Sequence, residues 1–316
     1  MKINIYDLYI SFCKNDIKIF EKIIKKVIEY HNGNPIIIIH FIFNKDDKIY
    51  NIKTLKEDIP CEIILIQDNQ YSRTHLYIRD LTDIVTIFLQ LQSEKGKNVF
   101  IYSGHSDGLI LGYKHIYFIS MDDFREIILG VLGKKCDLVW GDACLMGNIS
   151  SLHSLKNATK YLIASPMYYN YDSVLELKNL YRYREDDSMF DYSKRMIDEY
   201  MRNQRKKFIY KYFMVNIVLY EMNLYVSKLV NIIMKHKDRF EYDLCSMSKR
   251  DYYYLDILCA LKQIDSKDKK KVKNYLDKII LYKKQYDIGN NLDSKLLIIL
   301  REPYPHLEYD NPLFFK

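Results

Sequence analysis

Two residues near the middle of this 316-residue chain are placed to do covalent chemistry together. His105 follows the strand-like run Val99-Phe100-Ile101-Tyr102-Ser103-Gly104, and Cys144 follows Leu138-Val139-Trp140-Gly141-Asp142-Ala143. A thiol is a poor nucleophile and a thiolate a good one, so a reactive cysteine needs a base or a cation beside it. Histidine supplies either and can then protonate a leaving amine, help worth about 10²–10⁴ in rate. Seven of the ten glycines (Gly104, Gly108, Gly112, Gly130, Gly133, Gly141 and Gly147) fall between positions 104 and 147. Glycine lets the backbone turn tightly or be approached closely. Gly104 and Gly108 flank His105, and Gly141 and Gly147 flank Cys144, so backbone amides there can point at a developing oxyanion. Losing one such donor costs about 10²–10³ in rate; the N–H groups of Ser106 and Cys144 are the candidates.

The elements needed to position this pair are legible as an alternation. Ile3–Phe12 is β-rich, and Asn15-Asp16 caps a segment whose apolar residues Ile17, Phe20, Ile23, Ile24, Val27 and Ile28 recur at helical spacing. Ile36–Phe43 is a continuous apolar run, as expected of a buried parallel strand. After an excursion over Asn44–Pro60 come a short strand at Cys61–Ile66, a helix at Leu81–Leu91 and the strand that ends before His105. Ser120-Met121-Asp122-Asp123 opens a helix with a capping-box pattern, and Gly133 closes it. The strand into Cys144 follows, then a helix at Ser151–Asn157 and a strand at Tyr161–Ala164. This rhythm implies right-handed βαβ units and a parallel sheet covered on both faces. Ligands of such sheets bind at the carboxyl ends of the strands. Past residue 204 the pattern changes: Phe208–Tyr220 is β-rich, helices are expected at Val226–Met234, Tyr252–Leu261 and Val272–Tyr282, and a late strand at Leu296–Leu300.

Bulk composition narrows the field. The formal charge of +7 comes from 48 Lys+Arg against 41 Asp+Glu, with the signs interspersed. Lys269-Lys270-Lys271 reads as the solvated start of a helix, so no nucleic-acid partner is expected. No segment reaches the ~18 uninterrupted apolar residues of a membrane span, and no signal peptide is expected from residues 1–7, whose apolar stretch is broken by Asn4 and Asp7. The six cysteines are scattered without a C-x-x-C pair, and the histidines show no metal-ligand spacing. An intracellular, reduced protein without a metal or cofactor is the expectation.

Asp142-Ala143-Cys144-Leu145-Met146-Gly147 resembles the nucleophile motif of the clostripain family of cysteine peptidases, and the apolar strand into His105 resembles that family's histidine motif. Ser150–Tyr161 followed by Leu162-Ile163-Ala164-Ser165 is similar to the helix and strand after the nucleophile; Asn216–Met234 and Leu296–Pro305 are more loosely similar to the C-terminal part. The resemblance implies an α/β, caspase-like fold with a mostly parallel sheet, helices on both faces and a C-terminal α+β extension. The expected division is a catalytic domain over 1–204 and a subdomain over 205–316. It also implies an endopeptidase acting on protein or peptide substrates through a His105–Cys144 dyad, with Asp142 at the base of the S1 pocket selecting Arg or Lys at P1. A pocket carboxylate pairs well with a guanidinium; at the end of a strand an Asp also serves simply to cap a turn. Self-cleavage at Arg205-Lys206-Lys207, between the two halves, would follow. The chain departs from the family where Ser106 replaces a glycine and where Pro166–Tyr171 replaces a glycine- and tryptophan-containing loop. Calcium dependence is implied by the resemblance alone, since the chain has no calcium-loop pattern, and its oligomeric state is not specified.

Two other readings compete. Gly104-His105-Ser106-Asp107-Gly108 spells G-x-S-x-G, the nucleophile elbow of serine hydrolases, with Asp142 and His236 or His306 as partners. That elbow should lead into a helix, whereas Leu109–Phe118 looks extended. The other reading is a caspase-like scaffold that binds partners without catalysis.

Overall fold

A computed structural model describes residues 2–11, 14–43, 58–91, 96–108, 110–113, 116–167, 173–206, 215–240, 254–286 and 296–299. In chain order the elements are β1 (Lys2–Ser11), α1 (Lys14–Tyr30), β2 (Ile36–Ile42), β3 (Ile59–Gln67), β4 (Gln70–Ile78), α2 (Leu81–Phe88), β5 (Gly96–Ser103), β6 (Ile110–Tyr113), β7 (Ile116–Ser120), α3 (Met121–Leu132), β8 (Cys136–Asp142), α4 (Ile149–Leu155) and β9 (Thr159–Ala164). The remainder comprises α5 (Met189–Lys206), β10 (Val215–Glu221), α6 (Leu224–Lys235), β11 (Tyr254–Asp256), α7 (Ile257–Ala260), α8 (Ser266–Ile279), β12 (Ile280–Tyr286) and β13 (Leu297–Ile299).

Nine strands form one sheet in the order β12-β10-β9-β8-β5-β1-β2-β3-β4. The central five, β9-β8-β5-β1-β2, run parallel. β3 and β4 continue one side antiparallel, and β10 and β12 the other. The parallel strands are built from β-branched and aromatic residues, which suit a sheet buried on both faces. Alternation divides them. Tyr6, Leu8, Phe100, Tyr102 and Val139 join Phe88, Phe124, Leu152, Leu229 and Leu276 in the core under α2, α3, α4, α6 and α8. Ile3, Ile5, Val99, Ile101, Leu138 and Trp140 join Phe20, Ile24, Tyr192, Met196 and Tyr200 under α1 and α5. The result is the expected mostly parallel, helix-covered sheet with an α+β extension. That extension shares the sheet, because β10 pairs with β9.

Local chemistry sets the helix ends. Ser120 and Asp123 form the capping box of α3, and Gly133 ends it in the left-handed conformation. Asp265 caps α8, which leaves Lys270 and Lys271 exposed in its second turn. Several expectations are corrected. β4, the polar partner of β3 in a hairpin, was not expected, and the last residues assigned to a 272–282 helix are β12, antiparallel to β10. In place of a helix from Tyr252, the short strand β11 pairs with β13 before the one-turn α7. Arg205 and Lys206 close α5 rather than forming a linker, and Lys207 lies outside the described residues, as do Cys13, Cys245 and His306.

Candidate active site

β5 and β8 are neighbouring parallel strands, with Ser103 opposite Asp142. The residues just beyond them therefore emerge at the same edge of the sheet. His105 and Cys144 are both half-buried there. The Gly104 N–H donates to the Asp142 carbonyl at 3.3 Å, tying the start of the histidine loop to the end of the nucleophile strand. The Tyr102 phenol donates to the His105 carbonyl at 2.6 Å, and Cys144 is close enough for its charge to raise the Tyr102 pKa. Burial lowers the His105 pKa from its ordinary value, opposed by the charge of Asp16 near the start of α1. The imidazole is thus biased toward its neutral, basic form.

The two loops are fastened by a residue that the sequence did not single out. Asn148, fully buried at the N-cap of α4, places its Nδ2 2.6 Å from the Gly108 carbonyl and 2.8 Å from the Leu145 carbonyl. Ser151 Oγ donates to the same Gly108 carbonyl at 3.0 Å. Gly108, at φ 91°, has no room for a side chain: a Cβ would meet Leu145 O at 2.8 Å and Asn148 Nδ2 at 2.9 Å. Behind the nucleophile, Leu145 donates its N–H to Met167 O, Gly147 donates to Ser165 O, and Leu297 of β13 donates to Gly147 O.

The glycines flanking Cys144 sit in tight surroundings. The Gly147 amide is spent on Ser165. A Cβ on Gly141 would lie 2.5 Å from Met146 Sδ, so a side chain there would have to displace Met146. At the expected Ser106 position, the side chain is buried, its Oγ accepts the Gly108 N–H at 2.9 Å, and the residue bridges Leu111 in antiparallel fashion.

This geometry removes the serine-hydrolase reading. After Ser106 the chain enters the β6–β7 hairpin, without the helix that a nucleophile elbow requires. His236 instead lies 2.9 Å from Asp268 Oδ2 at the junction of α6 and α8. With Asp265, that pair is the metal-ligand-like group found among the described residues, but Lys235 Nζ already stands 2.6 Å from Asp268.

Asp142 ends β8 on the face covered by α1 and α5, almost fully buried at 7% exposure. Its Oδ2 accepts the Val174 N–H at 2.9 Å and lies 3.4 Å from Ser103 Oγ. It therefore caps the turn beginning at Val174, and it also presents a carboxylate close to the nucleophile loop. Ser103 in turn reaches Asp7 Oδ1 at 3.1 Å. The sequence signal for Asp7 is a lone acid within an apolar strand.

No protein-family model and no curated protein matches the sequence. Solved structures do match its fold. A secreted C11 cysteine protease from Bacteroides thetaiotaomicron, solved with an irreversible peptide inhibitor, aligns with a TM-score of 0.67 at 13% identity, covering 94% of this chain and 92% of that one. An inactive zymogen C11 protease from Parabacteroides distasonis aligns with a TM-score of 0.63 at 11% identity, covering 95% and 92%. The description "secreted" belongs to the first of these proteins, and the intracellular setting expected from cysteine usage gains no support from it. Among the described residues no helix is long and apolar enough to cross a membrane. The sheet order, the helices on both faces and this alignment over nearly the whole length together establish that the chain has the caspase-like fold of the C11 cysteine proteases.

Proposed function

We propose that this protein is a cysteine endopeptidase that hydrolyses peptide bonds after Arg or Lys. The observation that carries the reading is the placement of His105 and Cys144 just beyond two adjacent parallel strands, on loops clasped together by Asn148. Neutral His105 takes the thiol proton of Cys144, and the thiolate attacks the carbonyl carbon of the P1 residue. The tetrahedral oxyanion is received by backbone N–H groups, for which those of Ser106 and Cys144 are the candidates. As the intermediate collapses, His105 returns its proton to the leaving amine, and a thioester to Cys144 remains. Water, deprotonated by His105, hydrolyses that thioester and restores the thiol. Asp142 supplies negative charge for the P1 side chain, a role that its bond from Val174 leaves open because a carboxylate accepts several hydrogen bonds.

The test is an Arg-directed, cysteine-reactive peptide probe followed by adduct mapping. Labelling of Cys144 that disappears in Cys144→Ala and falls at least 10²-fold in rate in His105→Ala is expected. A serine-reactive phosphonate landing on Ser106 would overturn the dyad, and an unlabelled, inactive protein would favour the scaffold reading. Because burial lowers the His105 pKa, the acid limb of kcat/KM is expected below 6.5, the ordinary histidine value. A pH–rate profile checks this.

A further inference from the structure

Asp7 is a carboxyl that the proposed chemistry does not use. It lies in the middle of β1 with no exposed surface. In register, Asp142 is opposite Ser103 and Ser103 is opposite Tyr9, so Asp7 lies one strand beyond Ser103 and two residues deeper. Strand alternation puts all three on the face under α1 and α5, flanked by Ile5, Ile101 and Trp140. The Ser103 hydroxyl lies between the acids, 3.1 Å from Asp7 Oδ1 and 3.4 Å from Asp142 Oδ2. Asp7 Oδ2 has no hydrogen-bond partner among the described residues.

A buried acid ordinarily comes with a counter-charge, because an unpaired one is costly to desolvate. Asp7 has none. The ionisable groups that interact with it are Asp142, Tyr9, Tyr102 and Tyr181, all of them acids. Burial, and then the Asp142 charge, push its carboxyl well above the ordinary range, which favours a proton on the pair. An asparagine would fill the same space without that electrostatic cost.

We propose that Asp7 is the second acid of the P1 pocket, a specificity-determining residue whose charge acts through Ser103 and the buried interior on the cation held by Asp142. This rests on the reading of Asp142 as the P1 acid. Asp7 is too deep to be a solvent-facing contact. Its effect is carried by the low local dielectric, in which a second negative charge near a guanidinium or ammonium group acts strongly. When the cation arrives, Asp7 ionises and its proton leaves to solvent.

The test uses the full chain and three peptides differing only in P1: Arg, Lys and Leu. In Asp7→Asn, kcat/KM for the Arg and Lys peptides should fall at least tenfold, mainly through KM, with the Leu peptide unchanged and Tm not lowered. A loss shared equally by all three peptides, or no change, would overturn the proposal. Asp142→Asn separates it from the underlying reading. If Asp142→Asn keeps the preference for basic residues, Asp142 is not the P1 acid; if it removes the preference while Asp7→Asn does not, only the role of Asp7 fails. Should Asp7→Asn fail to fold, proton release on binding agmatine, a small guanidinium ligand, is measured on the unaltered protein in buffers of different ionisation enthalpy. Release of a substantial fraction of a proton is expected below neutral pH, and none would overturn the proposal.

Discussion

Two carboxyls are buried on the same face of one sheet and have opposite surroundings. Glu62 of β3 lies 3.3 Å from His40 Nδ1 and 2.7 Å from the Arg73 guanidinium, which also reaches Glu21 on α1. The His40 hydrogen bond and the Arg73 charge hold Glu62 at about 2, against the upward push of burial. His40 is itself pushed down by burial, toward its neutral form, and Arg73 is the cation beside Glu62. Its other nitrogen meets Ser11 Oγ at 2.8 Å, and its ring packs on Phe20. This chain of contacts crosses β1, β2, β3 and β4 and helps fix their register. Asp7, two strands away on β1, has a hydroxyl for company and no cation among the described residues. Where the fold needs an acid for its own cohesion it supplies the positive partner; beside the candidate nucleophile it leaves that partner out.

This contrast can be broken by substitution. The largest expected effect on stability belongs to Glu62→Gln, which removes the negative charge between Arg73 and His40 and leaves Arg73 with Glu21 alone. A loss of about 2–3 kcal/mol is expected in denaturant unfolding, toward the low end for a buried pair because Arg73 is partly exposed, with the Arg-to-Leu preference at P1 unchanged. Asp7→Asn should do the reverse, weakening basic P1 preference tenfold, equivalent to about 1.4 kcal/mol, without loss of Tm. Equal stability losses in the two variants would erase the distinction. A finer test is the acid limb of stability. Glu62 has its folded-state pKa below its ordinary value of 4.5, so its contribution is complete above 4.5 and lost as pH falls toward 2. Asp7 has the opposite sign: its folded-state pKa is raised, so its cost grows as pH rises through the ordinary carboxylate range and is absent in Asp7→Asn. Urea titrations from pH 7 to pH 3 should show a shallower acid decline in Glu62→Gln than in the parent, and a steeper one in Asp7→Asn.

Much of this arrangement was legible in the sequence because strand–helix alternation and apolar runs are local signals. The runs into His105 and Cys144 mark two strand ends, and glycine clustering marks the loops beyond them. What escaped is long-range. β4 reads as polar loop because all but one of its residues are exposed and only pairing with β3 makes it a strand. Asn148 meets Gly108 across 40 positions, a contact that no spacing rule foretells. Asp7 is visible as an acid in an apolar strand, but its meaning depends on Ser103 and Asp142 on the next two strands. At Gly141 the tightest neighbour is Met146, a packing contact that the glycine spacing does not display.

The Asn148 clasp has a consequence for how the site opens. With Gly108 and Leu145 held by one amide group, and Gly147 tied both to Ser165 and to Leu297, neither loop can peel away alone. Breathing at this edge is therefore all-or-none, and the amide protons of Leu145 and Gly147 should exchange with solvent at a common rate set by a single opening event. On the proposed mechanism, His105 and Cys144 would be disarmed together and re-armed together, leaving no half-assembled site in which an exposed thiol awaits its histidine.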